Sequence, residues 1–169
     1  MTEGQGTVGI EACAQLEAQG LGGPDKVVAC CGGGGLSAGL ALACPNAAII
    51  AVEPEGWDDV RRSLEAGTIL PVDDLSYPTE CDALQTPQTW PINFAVLQAR
   101  GVRGVAVSRE EVRVAMRVAF EKLHLVVEPG GAVALAAILA GKVSPGRVTL
   151  VTLSGGNVDP QHFARILAE

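Results

Sequence analysis

Apolar residues along this chain come in short unbroken runs rather than in alternation. Val27-Val28-Ala29-Cys30-Cys31, Ala48-Ile49-Ile50-Ala51-Val52, Gly104-Val105-Ala106-Val107 and Val148-Thr149-Leu150-Val151-Thr152-Leu153 each read as a strand buried on both faces, the last being the strongest pattern. Segments with helical spacing lie between them. Thr7 is placed to cap a helix whose Val8, Ile10, Cys13 and Leu16 share a face, and Gly20, Gly22, Gly23 and Pro24 end it. Helices are expected from about Leu36 to Cys44, Asp58 to Ala66 and Pro91 to Ala99. Ser108 and Glu111 form a capping box for the next helix, with Val112, Met116, Ala119 and Leu123 as its buried stripe. Pro129-Gly130-Gly131 opens a helix through Leu139, and Asp159-Pro160 opens the last. Residues 68–89 are proline-rich and read as an irregular loop, longer than an ordinary connection. Trp57 and Trp90 flank it and are expected to pack beneath it. Such strand–helix alternation predicts an α/β fold: a three-layer open parallel sheet with helices on both faces, forming one domain over residues 1–169.

Composition narrows the function. The chain is 48% hydrophobic but only 4% aromatic, so its core is built of Ala, Val, Leu and Ile. A net charge of −7 repels a phosphate backbone and argues against a nucleic-acid partner. Cys13, Cys30, Cys31, Cys44 and Cys81 have no CxxC spacing, which predicts reduced, buried thiols in a cytoplasmic protein rather than a zinc site or redox dithiol. The first six residues lack the basic and apolar regions of a signal peptide. Pro45 and Asn46 interrupt the longest apolar stretch, so no membrane span is expected.

Two segments carry chemistry. Gly32, Gly33, Gly34, Gly35 and Leu36 stand between a strand and a helix, where bare backbone N–H groups and a helix N-terminus suit a phosphate. Plain turns also hold glycine runs, and the spacing is not that of a dinucleotide fingerprint, although Glu53 ends the next strand. Ser154-Gly155-Gly156-Asn157 follows the last strand and puts a hydroxyl at the carboxyl end of the sheet; the same residues also make an ordinary turn. His124 and His162 lack the partners of a catalytic triad and read as helix-end or surface residues, and Arg61, Arg62, Arg113 and Arg117 read as solvated helix faces.

In order and spacing, Gly4-Gln5-Gly6-Thr7, the four glycines, Val52-Glu53-Pro54, Val127-Glu128-Pro129 and Ser154-Gly155-Gly156-Asn157 resemble the second half of pyridoxal-phosphate (PLP) dependent serine and threonine dehydratases and serine racemases. The resemblance covers essentially the whole chain. It implies fold type II, the tryptophan-synthase-β type, in the form of a truncated large domain. It implies that Gly32 to Leu36 hold the cofactor phosphate. It implies that Ser154 bonds the pyridine nitrogen, a neutral partner that favours β-elimination. It also implies a Mg²⁺ or Ca²⁺ site made of Glu53, Asp59 and the Trp57 carbonyl; by themselves Asp58 and Asp59 read simply as the start of a helix.

Two departures accompany the resemblance. The family's Asp-Gly is Asp82-Ala83 here, which is expected to crowd the cofactor ring. The family's Schiff-base lysine lies well upstream of Gly-Gln-Gly-Thr, and Lys26, Lys122 and Lys142 occupy no equivalent place. The expectation is a dehydratase-like chain that is inactive alone and acts by binding or association. The alternative is one piece of a split or truncated ammonia-lyase. Met1 reads as a native start of a genuine short reading frame, although an expression start would look the same. Loss of covering elements predicts a homodimer.

Overall fold

The computed structural model describes residues 2–169. Four strands, β1 (Lys26–Cys30), β2 (Ala48–Pro54), β3 (Arg103–Val107) and β4 (Thr149–Val151), form one all-parallel sheet in the order β3-β2-β1-β4. Val28 lies opposite Ile50 on one side and Val151 on the other, which fixes the register. Alternate residues serve opposite layers. Val28, Cys30, Ile50 and Val52 pack against α5 (Arg109–Leu123), α6 (Pro129–Leu139) and α7 (Pro160–Ala168). Val27, Ala29, Cys31, Ile49 and Ala51 pack against α2 (Gly35–Ala43), α3 (Asp59–Ala66) and α4 (Pro91–Ala99). Helices thus cover both faces, which is why the strand sequences show no polar alternation. No described helix is long and apolar enough to cross a membrane.

Three local expectations hold at the level of individual atoms. Ser108 Oγ accepts the Glu111 N–H while the Glu111 carboxylate accepts the Ser108 N–H at 2.7 Å, closing the capping box. Asp159 caps α7 through the His162 N–H. His124 ends α5 in the left-handed region, at φ 58°.

Other expectations are corrected. The first helix, α1 (Thr2–Ala18), starts well before Thr7, whose hydroxyl donates back to the Gly4 carbonyl instead of capping. Its Val8 and Ile10 are exposed, and the buried positions are Gly6 and Gly9. At Gly6 backbone meets backbone, since a Cβ on Gly39 of α2 would lie 2.6 Å from both Gly6 N and Thr2 O, whereas Gly9 faces the side chains of Leu40, Ala43 and Cys44. A contact made by glycines leaves no hydrophobic stripe to read. Gly39→Ala is therefore expected to force the helices apart and cost about 1–3 kcal/mol, as overpacking does, read as a lower urea midpoint at unchanged slope.

The fourth strand is three residues long and only half-buried, because it is the edge of the sheet. Ala115 replaces the exposed Leu123 in the stripe of α5. Trp57 is buried and donates Nε1–H to the Tyr77 carbonyl at 2.9 Å, but Trp90 is 66% exposed. The arginines are ties rather than free solvated faces. Arg61 reaches Asp58 and Glu65, and Arg62 reaches Asp73 and the Pro71 carbonyl. Arg113 grips Glu80 and Glu169, holding the Glu80 carboxyl below its usual range, and Arg117 donates to the Ile166 carbonyl. Residues 68–89 hold only a 3₁₀ turn at Asp82–Leu84, and are pinned by Arg62, by Arg113 and by Val72 N–H to Pro87 O.

Candidate functional site

The chain winds outward from β1 to β2 and β3, then returns to place β4 on the other side of β1. The crevice at the carboxyl ends of β1 and β4 is thus the topological switch point, where open parallel sheets take their ligands. Both candidate segments end there.

The four glycines leave β1 through a turn in which Gly34, at φ +84°, immediately precedes α2. The first α2 bond runs from Ala38 N–H to Gly34 O, so Gly35, Leu36 and Ser37 present N–H groups that have no carbonyl one turn back. The loop is clamped from behind by residues that the sequence did not single out. Gly33 O accepts from Asn93 Nδ2 at 2.6 Å and Thr89 Oγ1 at 3.2 Å, and Thr2 Oγ1 fixes the Asn93 amide. A Cβ on Gly32 would press on Leu84 Cα at 3.2 Å, and one on Gly34 on Leu97, Thr89 and Asn93. At Gly35 the nearest atom would be Asn93 Nδ2 at 4.0 Å, an ordinary contact. Glycine is required at Gly34 by the turn, and at Gly32 and Gly34 by the segment packed over them.

Ser154 leaves β4 beside this loop. Its Oγ lies 3.2 Å from the Sγ of Cys30, the last residue of β1. The turn that carries it is held by the start of α6. Glu128 accepts the Asn157 N–H on its carboxylate and donates its own N–H to Gly155 O. A Cβ on Gly131 would fall inside the van der Waals sphere of the Ser154 carbonyl. The Glu-Pro-Gly-Gly and Ser-Gly-Gly-Asn segments therefore act as one unit.

Glu53 and Asp59 meet where β2 gives way to α3, both fully buried. The Glu53 oxygens accept the N–H groups of Val60 (2.9 Å) and Arg61 (2.7 Å); Asp59 accepts the Thr89 N–H at 2.8 Å. Burial, and secondarily the Asp59 charge, hold the Glu53 carboxyl well above its ordinary range. Burial pushes Asp59 up to about 6. Trp57 stands two residues before Asp59, its N–H bonded to the Pro54 carbonyl and its indole turned to Tyr77. Among the described residues no group of three or more His, Cys, Asp or Glu converges on one point, so a cation here would need backbone oxygen as well.

None of the lysines reaches the crevice. Lys26 Nζ donates to Ser144 O at the amino end of the sheet, Lys142 Nζ is held by Glu111 and Ala106 O, and Lys122 is exposed in the last turn of α5. Ala83 sits beside Gly130 in the 3₁₀ turn, without a positive φ.

The pattern that defines the family described as "Pyridoxal-phosphate dependent enzyme" matches residues 1–155. This chain belongs to that family. Among PLP-dependent relatives, the phenylserine dehydratase of Ralstonia pickettii is 38% identical over 97% of this chain and 50% of its own length. The serine racemase of Dictyostelium discoideum is 32% identical over 97% of this chain and 51% of its own. In structure, a threonine deaminase from T.th. superposes with a TM-score of 0.85 at 41% identity, covering 92% of this chain and 58% of that one. The parallel sheet with helices on both faces is therefore that of PLP fold type II. The chain spans about half the length, or less, of the curated relatives it matches.

Proposed function

We propose that this chain is the cofactor-anchoring half of a PLP-dependent serine or threonine dehydratase-like protein. The observation that carries the reading is the convergence of the N–H groups around Gly32 to Leu36 with the Ser154 hydroxyl at one switch point. When bound, PLP supplies an electron-withdrawing ring that stabilises charge on the substrate α-carbon. The glycine loop would hold its phosphate through Gly32, Gly33, Gly34, Gly35 and Leu36, and Ser154 would meet the ring nitrogen without adding charge. With no lysine at the crevice, the chain binds and associates rather than turning over substrate. The second reading, one piece of a split or truncated ammonia-lyase, is favoured by the share of its relatives that it spans.

Titration with PLP tests the site. A saturable change in cofactor absorbance is expected, with inorganic phosphate competing and amide resonances of Gly32 to Leu36 moving. Phosphate that moves none of these resonances would refute the anion site.

The buried pair Glu53 and Asp59 fits a hard divalent cation, since two carboxylates share an apolar setting while Arg61 and Arg62 turn to other partners. We propose that Glu53, Asp59 and the Trp57 carbonyl hold Mg²⁺ or Ca²⁺. Calcium at a hundredfold excess over its dissociation constant should then stabilise the chain by about 2.7 kcal/mol. Asp59→Asn should remove that gain, and a melting temperature indifferent to both cations would count against the site.

Association follows from the edge. The outer side of β4 borders a groove of ≈ 380 Å³ lined by Val8, Leu36, Leu150 and Leu153 among others. An unpaired strand edge beside apolar surface invites a partner, and a homodimer is the proposed state of the isolated chain.

A further inference from the structure

Ser154 can serve an acceptor nitrogen only if its single proton points toward it, and the crevice contains a residue placed to decide this. Cys30 is held from both sides of its backbone: its N–H donates to Thr152 Oγ1 at 3.2 Å, and its carbonyl accepts the buried Ser37 hydroxyl at 3.2 Å. The side chain is 7% exposed and packs in the core layer that includes Cys81, Leu84, Val127 and Ala132. Its sulfur therefore has a fixed position, 3.2 Å from Ser154 Oγ. Among the described residues, Cys30 Sγ is the one hydrogen-bond partner of the Ser154 hydroxyl, and the reverse is also true.

We infer that Cys30 is a positioning residue: its thiol donates to Ser154 Oγ and leaves the serine proton to be presented at the mouth of the crevice. This rests on the reading of Ser154 as the partner of the cofactor's ring nitrogen. A hydroxyl has one proton and two lone pairs, and a thiol is both a weak donor and a weak acceptor. If Ser154 donates to sulfur, the ring nitrogen meets only lone pairs and must itself be protonated to bond. If Cys30 donates to Ser154, the chain S–H to O–H to nitrogen satisfies every member and each bond polarises the next. An unprotonated ring nitrogen accepts only, so its arrival selects the second arrangement. Cys30 then supports the hydroxyl that meets the ring nitrogen without touching the cofactor.

The probe is pyridoxamine phosphate labelled at the ring nitrogen, which carries an amine in place of the aldehyde and so needs no lysine. Its affinity for the full chain is read by fluorescence, and its ring-nitrogen NMR shift reports protonation. Two substitutions of near-native volume separate donor from packing. Cys30→Val should leave a buried Ser154 lone pair unmet in the complex and weaken binding roughly threefold to tenfold, the range of one net hydrogen bond. Cys30→Ser, which keeps a donor, should restore the affinity. Ser154→Ala is the control for the underlying reading. If Ser154→Ala moves the ring shift and Cys30→Val leaves the affinity unchanged, the role of Cys30 is refuted while the site stands. A probe that fails to bind, or that is indifferent to Ser154→Ala, overturns the site and with it the inference.

Discussion

Gly131→Ala is expected to be the most damaging single methyl in the chain. The added carbon would have to occupy the place of the Ser154 carbonyl oxygen, which is backbone and cannot rotate away. Gly131 lies in the first turn of α6, whose buried residues fill the sheet face between β1 and β3, so the helix cannot retreat without opening the core. The strain must therefore be absorbed by the loop after β4. A loss of about 3 kcal/mol is expected, the upper end of overpacking. Displacement of Ser154 should also weaken PLP by about tenfold or more, equivalent to 1.4 kcal/mol. Urea denaturation and PLP titration measure the two effects separately. For stability alone Gly35→Ala is the matched control, because a Cβ there would come no closer than 4.0 Å to its nearest neighbour, Asn93 Nδ2. Equal stability of the two variants would show that the α6 contact does not hold the site.

The chain alone is expected to release no measurable keto acid from L-serine or L-threonine. Elimination needs a base at the substrate α-carbon, and a positioned base contributes roughly two to four orders of magnitude. Lys26, Lys122 and Lys142 are each engaged or directed elsewhere, and none borders Gly32 to Gly35 or Ser154. A second chain carrying the half of the relatives that this one does not span should supply the base and cover the β4 edge. Activity should then appear, and sedimentation equilibrium should show the isolated chain's dimer, built from 17.3 kDa protomers, giving way to the mixed complex. Turnover by the pure chain at a rate ordinary for dehydratases would refute the reading as a cofactor-anchoring half. A clean 17.3 kDa monomer would refute self-association alone.

Features that depend on neighbours along the chain were legible before any fold was known. Unbroken apolar runs marked the strands because both sheet faces are covered, and the Ser108–Glu111 box and the Asp159 cap were readable because their partners lie three residues away. The glycine loop and Ser154 were visible as motifs, and the paired carboxylates only through the family resemblance. How they meet is a matter of folding. Strand order 3-2-1-4 brings β4 beside β1 and so sets Cys30 against Ser154, 124 residues apart in sequence. The buried face of α1 was misread for a physical reason: Gly6 and Gly9 contact α2 through backbone, while Val8 and Ile10 point to the surface, so hydrophobicity reported the wrong side. The shortness of β4 was hidden because an edge strand and a central strand can share a sequence pattern, and only pairing distinguishes them. The clamp of Thr89 and Asn93 on Gly33 was likewise out of reach, since ordinary polar residues acquire such roles only when folding delivers them to an unpaired carbonyl.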